Sequence, residues 1–152
     1  HPQPGLAGID TIEFHFAPNP GEPAKPLLAI ASSGELARAM LAIKTVLAVQ
    51  DQIPVLIFDE VDANVGGETA NAVGEKMRTV ARHRQVLCIT HLAQVAAVAD
   101  AHFAVTKEIH GGRTLSTIQR LDHPGRVTEL ARMLGGHTEA ARRHALSLLG
   151  QS

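Results

Sequence analysis

Apolar residues in this chain form two short uninterrupted runs, each of which ends at polar side chains. The first, Val55–Phe58, leads into Asp59 and Glu60, and the second, residues 86–89, leads into a threonine and His91. Runs this short and uniformly apolar predict strands buried on both faces, as in a parallel sheet flanked by helices. Ligands bind at the carboxyl edge of such sheets, so the two acids are candidates for a metal ligand and a general base. A role in capping the next helix stays equally open.

The rest of the pattern predicts further strands and helices around these two runs. Alternation over residues 11–16 predicts a half-buried strand, and the prolines of residues 17–26 predict an irregular loop. Helices are predicted up to about Val49, over a face made by Leu36, Met40, Ile43 and Leu47, and after Gly66, over a face made by Ala70, Val73, Met77 and Val80. A third helix is predicted over 92–98, a hairpin over 101–109 and 113–120, and two closing helices over 126–134 and 138–149.

The helix before the first apolar run has a polar start that could bind an anion. Ser32, Ser33, Gly34 and Glu35 stand immediately before its apolar positions. Serine at such a place caps the helix, and the free N–H groups of the first turn attract negative charge. The sequence therefore predicts a capped helix with an anion site at its N-terminus.

Composition narrows the classes of function. With 14 Lys and Arg against 15 Asp and Glu, the formal net charge of -1 predicts no general attraction to nucleic acid or anionic membranes. The chain lacks Trp and Tyr, which argues against a base-stacking platform. The single cysteine, Cys88, suits a buried strand position in a reducing cytosol better than a catalytic thiol. No apolar stretch is long enough to cross a bilayer, so we expect no membrane partner.

Taken in order, these features resemble the C-terminal lobe of the ATPase head in ABC-type ATPases of the SMC class, and within it the RecN family of bacterial DNA repair proteins. Residues 30–38, Ile-Ala-Ser-Ser-Gly-Glu-Leu-Ala-Arg, resemble the signature motif of the family. Residues 56–62 resemble its Walker B motif, residues 87–96 its switch-histidine segment, and residues 129–136 a sequence typical of RecN. Three motifs in the right order are far more specific than one.

The resemblance implies an α/β fold, a mainly parallel sheet flanked by helices with a late β-hairpin, and ATP and Mg²⁺ as cofactors. It implies that Glu60 activates the attacking water, that Asp59 holds Mg²⁺ and that His91 hydrogen-bonds the γ-phosphate. It also implies contacts to a nucleotide held by a different head, or to the interface between two heads. Those contacts are assigned to Ser32, Ser33, Gly34, Glu35, Asp62 and Asn64.

One motif of this class is missing. The chain has no Gly-x-x-x-x-Gly-Lys-Ser/Thr sequence, the Walker A motif whose backbone and lysine hold the β-phosphate. Because the chain also opens with His1 and not Met, we expect residues 1–152 to be the C-terminal half of a head, inactive when isolated. Its expected parts are residues 10–31 (strand and proline-rich loop), 32–100 (signature, Walker B and switch-histidine core) and 101–152 (hairpin and closing helices).

The resemblance implies a setting for the whole protein. The expected partners are the N-terminal head lobe of the same protein and a second head, with ATP sandwiched between the two heads of a homodimer. The full-length protein would engage DNA and act in double-strand break repair and recombination, in the cytoplasm at the nucleoid.

Two other readings stay open on the residues alone. An acidic pair with Thr90 and Lys107 near neighbouring strand ends also describes a receiver domain phosphorylated on aspartate, although a receiver carries its paired acids on the first strand. The lobe could alternatively be a non-catalytic docking module. In that case Glu60→Gln in the full-length protein would leave ATP turnover unchanged.

Overall fold

The computed structural model describes residues 8–10, 12–17, 19–29, 32–47, 53–110 and 112–150. Predictions that fall on Thr11, on residues 30–31 and 48–49 and on Gly111 lie outside the described residues. The elements in chain order are β1 (His15–Phe16), β2 (Lys25–Pro26), a 3-10 turn (Leu27–Ala29), α1 (Ser33–Val46), β3 (Val55–Phe58), α2 (Gly67–Ala81), β4 (Gln85–Cys88), α3 (Ala93–Ala97), β5 (Phe103–His110), β6 (Arg113–Arg120), α4 (His123–Met133) and α5 (Glu139–Leu148).

The centre of the fold is the parallel pair of β3 and β4, connected through α2. Leu56 lies opposite Val86 and Phe58 opposite Cys88. Parallel strands need a crossover of this kind, and the predicted strand–helix–strand order is confirmed. The predicted face of α2 is buried as well, because all four of its residues pack inward. The core here consists of Leu41, Phe58, Val61, Val73, Met77, Val80 and Val95.

The prediction that both faces of these strands are buried is wrong. Side chains alternate along a strand, and the helices of the described residues cover the face that carries Leu56 and Phe58. Ile57, on the opposite face, is 69% exposed. The apolar residues of this outward face, called here the open sheet face, are Val55, Ile57, Leu87 and Ile89.

Helix α1 begins as predicted but turns a different side to the core. Ser32 is its N-cap, and the Ser32 hydroxyl accepts from the N–H of Glu35 at 3.5 Å. The buried residues are Gly34 and Leu41. On the predicted face, Leu36, Met40 and Leu47 are 36 to 44% exposed and Ile43 is half-buried. Gly34 at the first turn lets the helix approach Ala63 closely, and Leu41 packs into the core from the same helix.

The predicted half-buried strand over 11–16 is reduced to the two residues of β1, which pair antiparallel with β2. Ile12 and Phe14 are exposed, because the described part of the chain supplies no layer that packs on them. The prediction of an irregular proline-rich loop also needs correction at its end, where Lys25 and Pro26 form β2.

The C-terminal part is close to the prediction. Strands β5 and β6 form the expected hairpin, with Val105 opposite Ile118. Helix α4 starts three residues earlier than predicted, because the Asp122 carboxylate accepts from the N–H of Gly125 at 2.8 Å and caps it. Helices α3, α4 and α5 share a second core made by Ala93, Ala96, Ala97, Val127, Leu130, Ala131, Ala141 and Ala145.

The α/β class is confirmed, and the parallel sheet is present in the described residues as the β3–β4 pair. The two other strand pairs of the described residues are antiparallel. None of the described helices is long and apolar enough to span a membrane. The division into residues 10–31, 32–100 and 101–152 stays a prediction.

Candidate active site

The acids and His91 meet at the carboxyl ends of β3 and β4. Asp59 and Glu60 follow β3 directly, and both are exposed. The pairing of the two strands extends one step further, since the N–H of Ile89 donates to the Phe58 carbonyl at 3.0 Å. The segment of Thr90 and His91 therefore leaves its strand beside the acidic pair. This is the edge at which open α/β sheets bind ligands.

The loop after β3 is tightly turned. The N–H of Ala63 donates to the Glu60 carbonyl at 3.0 Å, and the backbone of Glu60 and Asn64 is left-handed, with φ of 57° and 58°. Asparagine tolerates this region, but it is uncommon for glutamate. Such conformations cluster at functional sites, where the surrounding structure holds them.

Asp62 is the buried member of this loop. Its side chain is 2% exposed, and its Oδ2 accepts from the Thr90 hydroxyl at 2.5 Å and from the N–H of His91 at 3.0 Å. The Nδ1 atom of His91 lies 3.3 Å from the same oxygen, while the imidazole as a whole is 68% exposed. The Asp62 carboxylate is thus directed at the histidine segment, not at solvent.

The start of α1 packs against the other side of the loop. Ser33 is exposed on the first turn, Glu35 is half-buried and Gly34 is buried against Ala63. Arg38, one turn along, donates from Nη1 to the carbonyls of Val61 at 3.3 Å and Ala63 at 3.0 Å. The loop therefore connects the helix start to the histidine segment.

Cys88 lies beneath this site and has no sign of reactivity. Burial, followed by the negative charges of Asp62 and Asp59, raises the pKa of its thiol to about 12. The thiolate is the nucleophilic form, so a cysteine with so high a pKa is inert at neutral pH. The raised pKa favours the assignment of Cys88 to the fold over a catalytic role.

The residues present fit the groups that the resemblance implies. Mg²⁺ prefers carboxylate oxygens, and Asp59 presents one at the strand end. Phosphate suits the first turn of α1, where N–H groups lack intrahelical partners and the Ser33 hydroxyl is exposed. Among the described residues, no group of three or more His, Cys, Asp or Glu side chains converges on a metal position.

The structure brings the predicted site residues together around the loop of residues 59–64. It adds Arg38 and Thr90, which were not predicted to bond this loop. Arg38 is the last residue of the signature-like stretch 30–38 and lies one helical turn after Gly34, and this spacing is the signal that could have found it. The hydrogen bond from Thr90 to Asp62 joins residues 28 positions apart, so no local sequence pattern predicts it. Lys107, which the receiver reading requires, is exposed on the hairpin, in a sheet separate from the parallel pair.

Comparison with solved structures identifies the class of protein to which this fold belongs. No protein-family model matches the chain. A solved SMC ATPase structure, described for its ATP-driven dimerization and DNA-stimulated activation, superposes with a TM-score of 0.54 over 78% of this chain and 70% of that chain, at 22% identity. The chain thus has the fold of an SMC ATPase.

Comparison of sequences identifies the family within that class. DNA repair protein RecN of Treponema pallidum (strain Nichols) is 51% identical over 147 residues, which are 95% of this chain and 26% of the relative. RecN of Bacillus subtilis (strain 168) is 46% identical with the same coverage, and RecN of Deinococcus radiodurans is 47% identical over 148 residues, or 97% of this chain and 26% of the relative. The chain belongs to the RecN family and corresponds to its C-terminal fragment. It spans about a quarter of the length of the curated relatives it matches.

Proposed function

We propose that this chain is the C-terminal half of an ATP-hydrolysing head in a RecN-like protein that acts in DNA double-strand break repair and recombination. The observation that carries the proposal is the loop at residues 59–64. It begins with two exposed acids and is bonded on one side to the start of α1 and on the other to Thr90 and His91. The two acids and His91 would supply, at one edge, the metal ligand, the base and the phosphate donor that phosphoryl transfer to water requires. The start of α1 lies on the other side of the loop.

Each residue has a proposed role. Glu60 orients or deprotonates the attacking water, and His91 donates a hydrogen bond to the γ-phosphate. Asp59 would hold Mg²⁺, which when bound neutralises charge on the phosphate oxygens. Ser32, Ser33, Gly34 and Glu35 place the N-terminus of α1 against a nucleotide held by another head, and Asn64 lies on the interface loop.

The open sheet face is evidence for a binding partner that belongs to the same protein. Ile57 and Leu87 lie opposite each other in the parallel register, and both are exposed. A contiguous apolar face of this kind marks an interaction surface, and the chain covers a quarter of its relatives' length. We propose that the N-terminal head lobe, which would also supply the Walker A motif, covers it.

The wider setting is part of the same proposal. The start of α1 would meet a nucleotide bound by a second head, so the active assembly is a homodimer with ATP between the heads. DNA would be engaged through the full-length protein. A cytoplasmic, nucleoid-associated location fits these partners.

The test is Glu60→Gln in the full-length protein. Loss of a general base lowers turnover by about 10²-fold or more, while ATP binding is kept because the proposed metal ligand Asp59 is unchanged. Glu75→Gln makes the same chemical change at an exposed position of α2 and should leave both quantities unchanged. Unchanged turnover in Glu60→Gln would favour a docking module, and a loss of ATP binding would contradict the separate roles of the two acids.

The isolated chain offers a second test. Purified alone, it should neither bind ATP tightly nor hydrolyse it, because it has no phosphate-binding loop. Turnover by the chain, absent from an identically purified Glu60→Gln preparation, would contradict the half-head assignment.

A further inference from the structure

Asp62 has contacts that the roles above do not use. It follows the exposed acids by two positions, yet it is buried, and its partners belong to the segment after the neighbouring strand. A buried carboxylate is costly unless donors surround it. Here the donors are the Thr90 hydroxyl and the His91 N–H, with Nδ1 of His91 at 3.3 Å from the same oxygen.

We infer that Asp62 is a positioning residue for His91: it fixes the backbone and ring of the histidine so that the second ring nitrogen, Nε2, is available to a phosphate oxygen. This inference rests on the proposed role of His91. Asp62 contacts the Thr90 hydroxyl, the His91 N–H and Nδ1 of His91, while most of the imidazole stays exposed. Support of this kind, from a residue that does not itself touch the substrate, sets the orientation of a working histidine.

The chemistry of the ring gives the carboxylate a second task. Nδ1 of His91 lies 3.3 Å from Oδ2 of Asp62, so the negative charge of the carboxylate lies beside the ring. That charge acts on the ring in addition to the hydrogen bonds that hold the backbone. The effects of the hydrogen bonds and of the charge of Asp62 can be tested separately, because Asp62→Asn keeps an acceptor oxygen and removes the charge.

Thr90 completes the arrangement. Its hydroxyl donates to Asp62 and accepts from the N–H of Leu92 at 3.0 Å, at the start of α3. The carboxylate, the hydroxyl and the helix start therefore form one chain of hydrogen bonds. Arg38 holds the carbonyls of the residues on both sides of Asp62, so the carboxylate is fixed from the α1 side as well.

The experiment combines amide hydrogen exchange with ATP turnover in the full-length protein. In Asp62→Ala, exchange at the His91 amide should rise about tenfold because its acceptor is gone. Turnover should fall about tenfold or more, with KM for ATP within about threefold. In Asp62→Asn, exchange should stay within about threefold of the parent while turnover still falls, since the acceptor remains and the charge does not.

Control variants distinguish a positioning role of Asp62 from a general loss of stability or activity. Asp100→Asn makes the same change at an exposed acid and should alter neither quantity. If Asp62→Ala does not fold, Asp62→Asn and Thr90→Val carry the test, because the valine variant removes one donor to the carboxylate.

The double variant decides whether Asp62 acts through the histidine. If it does, Asp62→Ala with His91→Ala turns over no more slowly than His91→Ala alone. Losses that multiply, or unchanged exchange at the His91 amide in Asp62→Ala, would overturn the inference. Unchanged turnover in His91→Ala alone would instead contradict the proposed function, while the exchange result would still report on the contact.

Discussion

Gly34 and Ala63 are in close contact, so a side chain at position 34 would be crowded. A Cβ atom added to Gly34 would lie 3.0 Å from the Cβ of Ala63 and 3.2 Å from its carbonyl oxygen. It would also lie 3.1 Å from the Arg38 atom that bonds this loop. A Cβ atom at position 34 would therefore require its neighbours on Ala63 and Arg38 to move by a few tenths of an ångström.

Gly34→Ala should consequently separate the helix from the loop. We expect the free energy of unfolding of the chain to fall by about 1 to 3 kcal/mol, the usual cost of overpacking. Chemical denaturation would measure it. Gly66→Ala is the matched control, because a Cβ there meets nothing within 4 Å and the φ of -161° suits any residue. Equal losses in the two variants would contradict the close-contact account.

Cys88 should resist thiol reagents in the folded chain. Its pKa is raised to about 12, mainly by burial, so at pH 7.5 it should react at least about 10²-fold more slowly than in the denatured chain. The release of thionitrobenzoate from a disulfide reagent, followed with and without denaturant, measures the ratio. A folded chain that reacts as fast as the denatured one would show that the thiol is neither buried nor its pKa raised.

Acid should destabilise the fold through His102. Burial, and then the positive charge of Arg126, lower the pKa of His102 below its ordinary value, while Glu129 opposes the shift. The unfolded chain then binds more protons, so the stability from neutral His102 is complete above its ordinary pKa and is lost as the pH falls toward the lowered value. Unfolding midpoints at pH 7.5 and 5.5 should differ less in His102→Gln than in the parent.

Glu129 also makes the stability fall as the pH falls, but at a lower pH than His102 does. The pH range of the unfolding measurements is chosen for this reason. The hydrogen bonds from Arg132 lower the pKa of Glu129, so its contribution is lost only as the pH falls below the ordinary range of a carboxyl. Measurements above pH 5 therefore isolate the histidine. His144→Gln, at an exposed position of α5, is the control and should keep the pH dependence of the parent.

The open sheet face should respond differently in the chain and in the full-length protein. Ile57→Lys should cost the isolated chain within about 1 kcal/mol, as exposed substitutions do, but should lower the stability of the full-length head by several times more if a lobe covers this face. Thermal unfolding of both forms makes the comparison. Val46→Lys, at a residue 79% exposed on α1, is the control and should behave alike in both. Equal effects of Ile57→Lys in the two forms would contradict the covering lobe.

Local chemistry predicted much of this fold. The Ser32 cap, the buried face of α2 and the pairing of β5 with β6 each depend on residues close to one another in the sequence, and the structure has all three. The carboxyl-edge position of Asp59 and Glu60 was also predictable, because it depends only on where an apolar run ends.

Features that depend on distant contacts were not predictable. A uniformly apolar strand cannot show which of its faces is covered within this chain, so Ile57 was predicted to be buried and is exposed. The inward side of α1 carries Gly34, which meets Ala63 29 positions away, and Leu41, and not the face made by Leu36 and Met40. The bonds of Asp62 cross between two strands in the same way, so its burial was missed.

Glu60 combines two properties that oppose each other. Its left-handed backbone, at φ of 57°, costs a residue with a side chain roughly 1 kcal/mol that glycine would not incur. A search for stabilising substitutions would therefore favour Glu60→Gly, and it would delete the carboxylate proposed to activate water. Thermal stability and turnover compete at this one residue, so a more robust variant of this loop is expected to be a less active one.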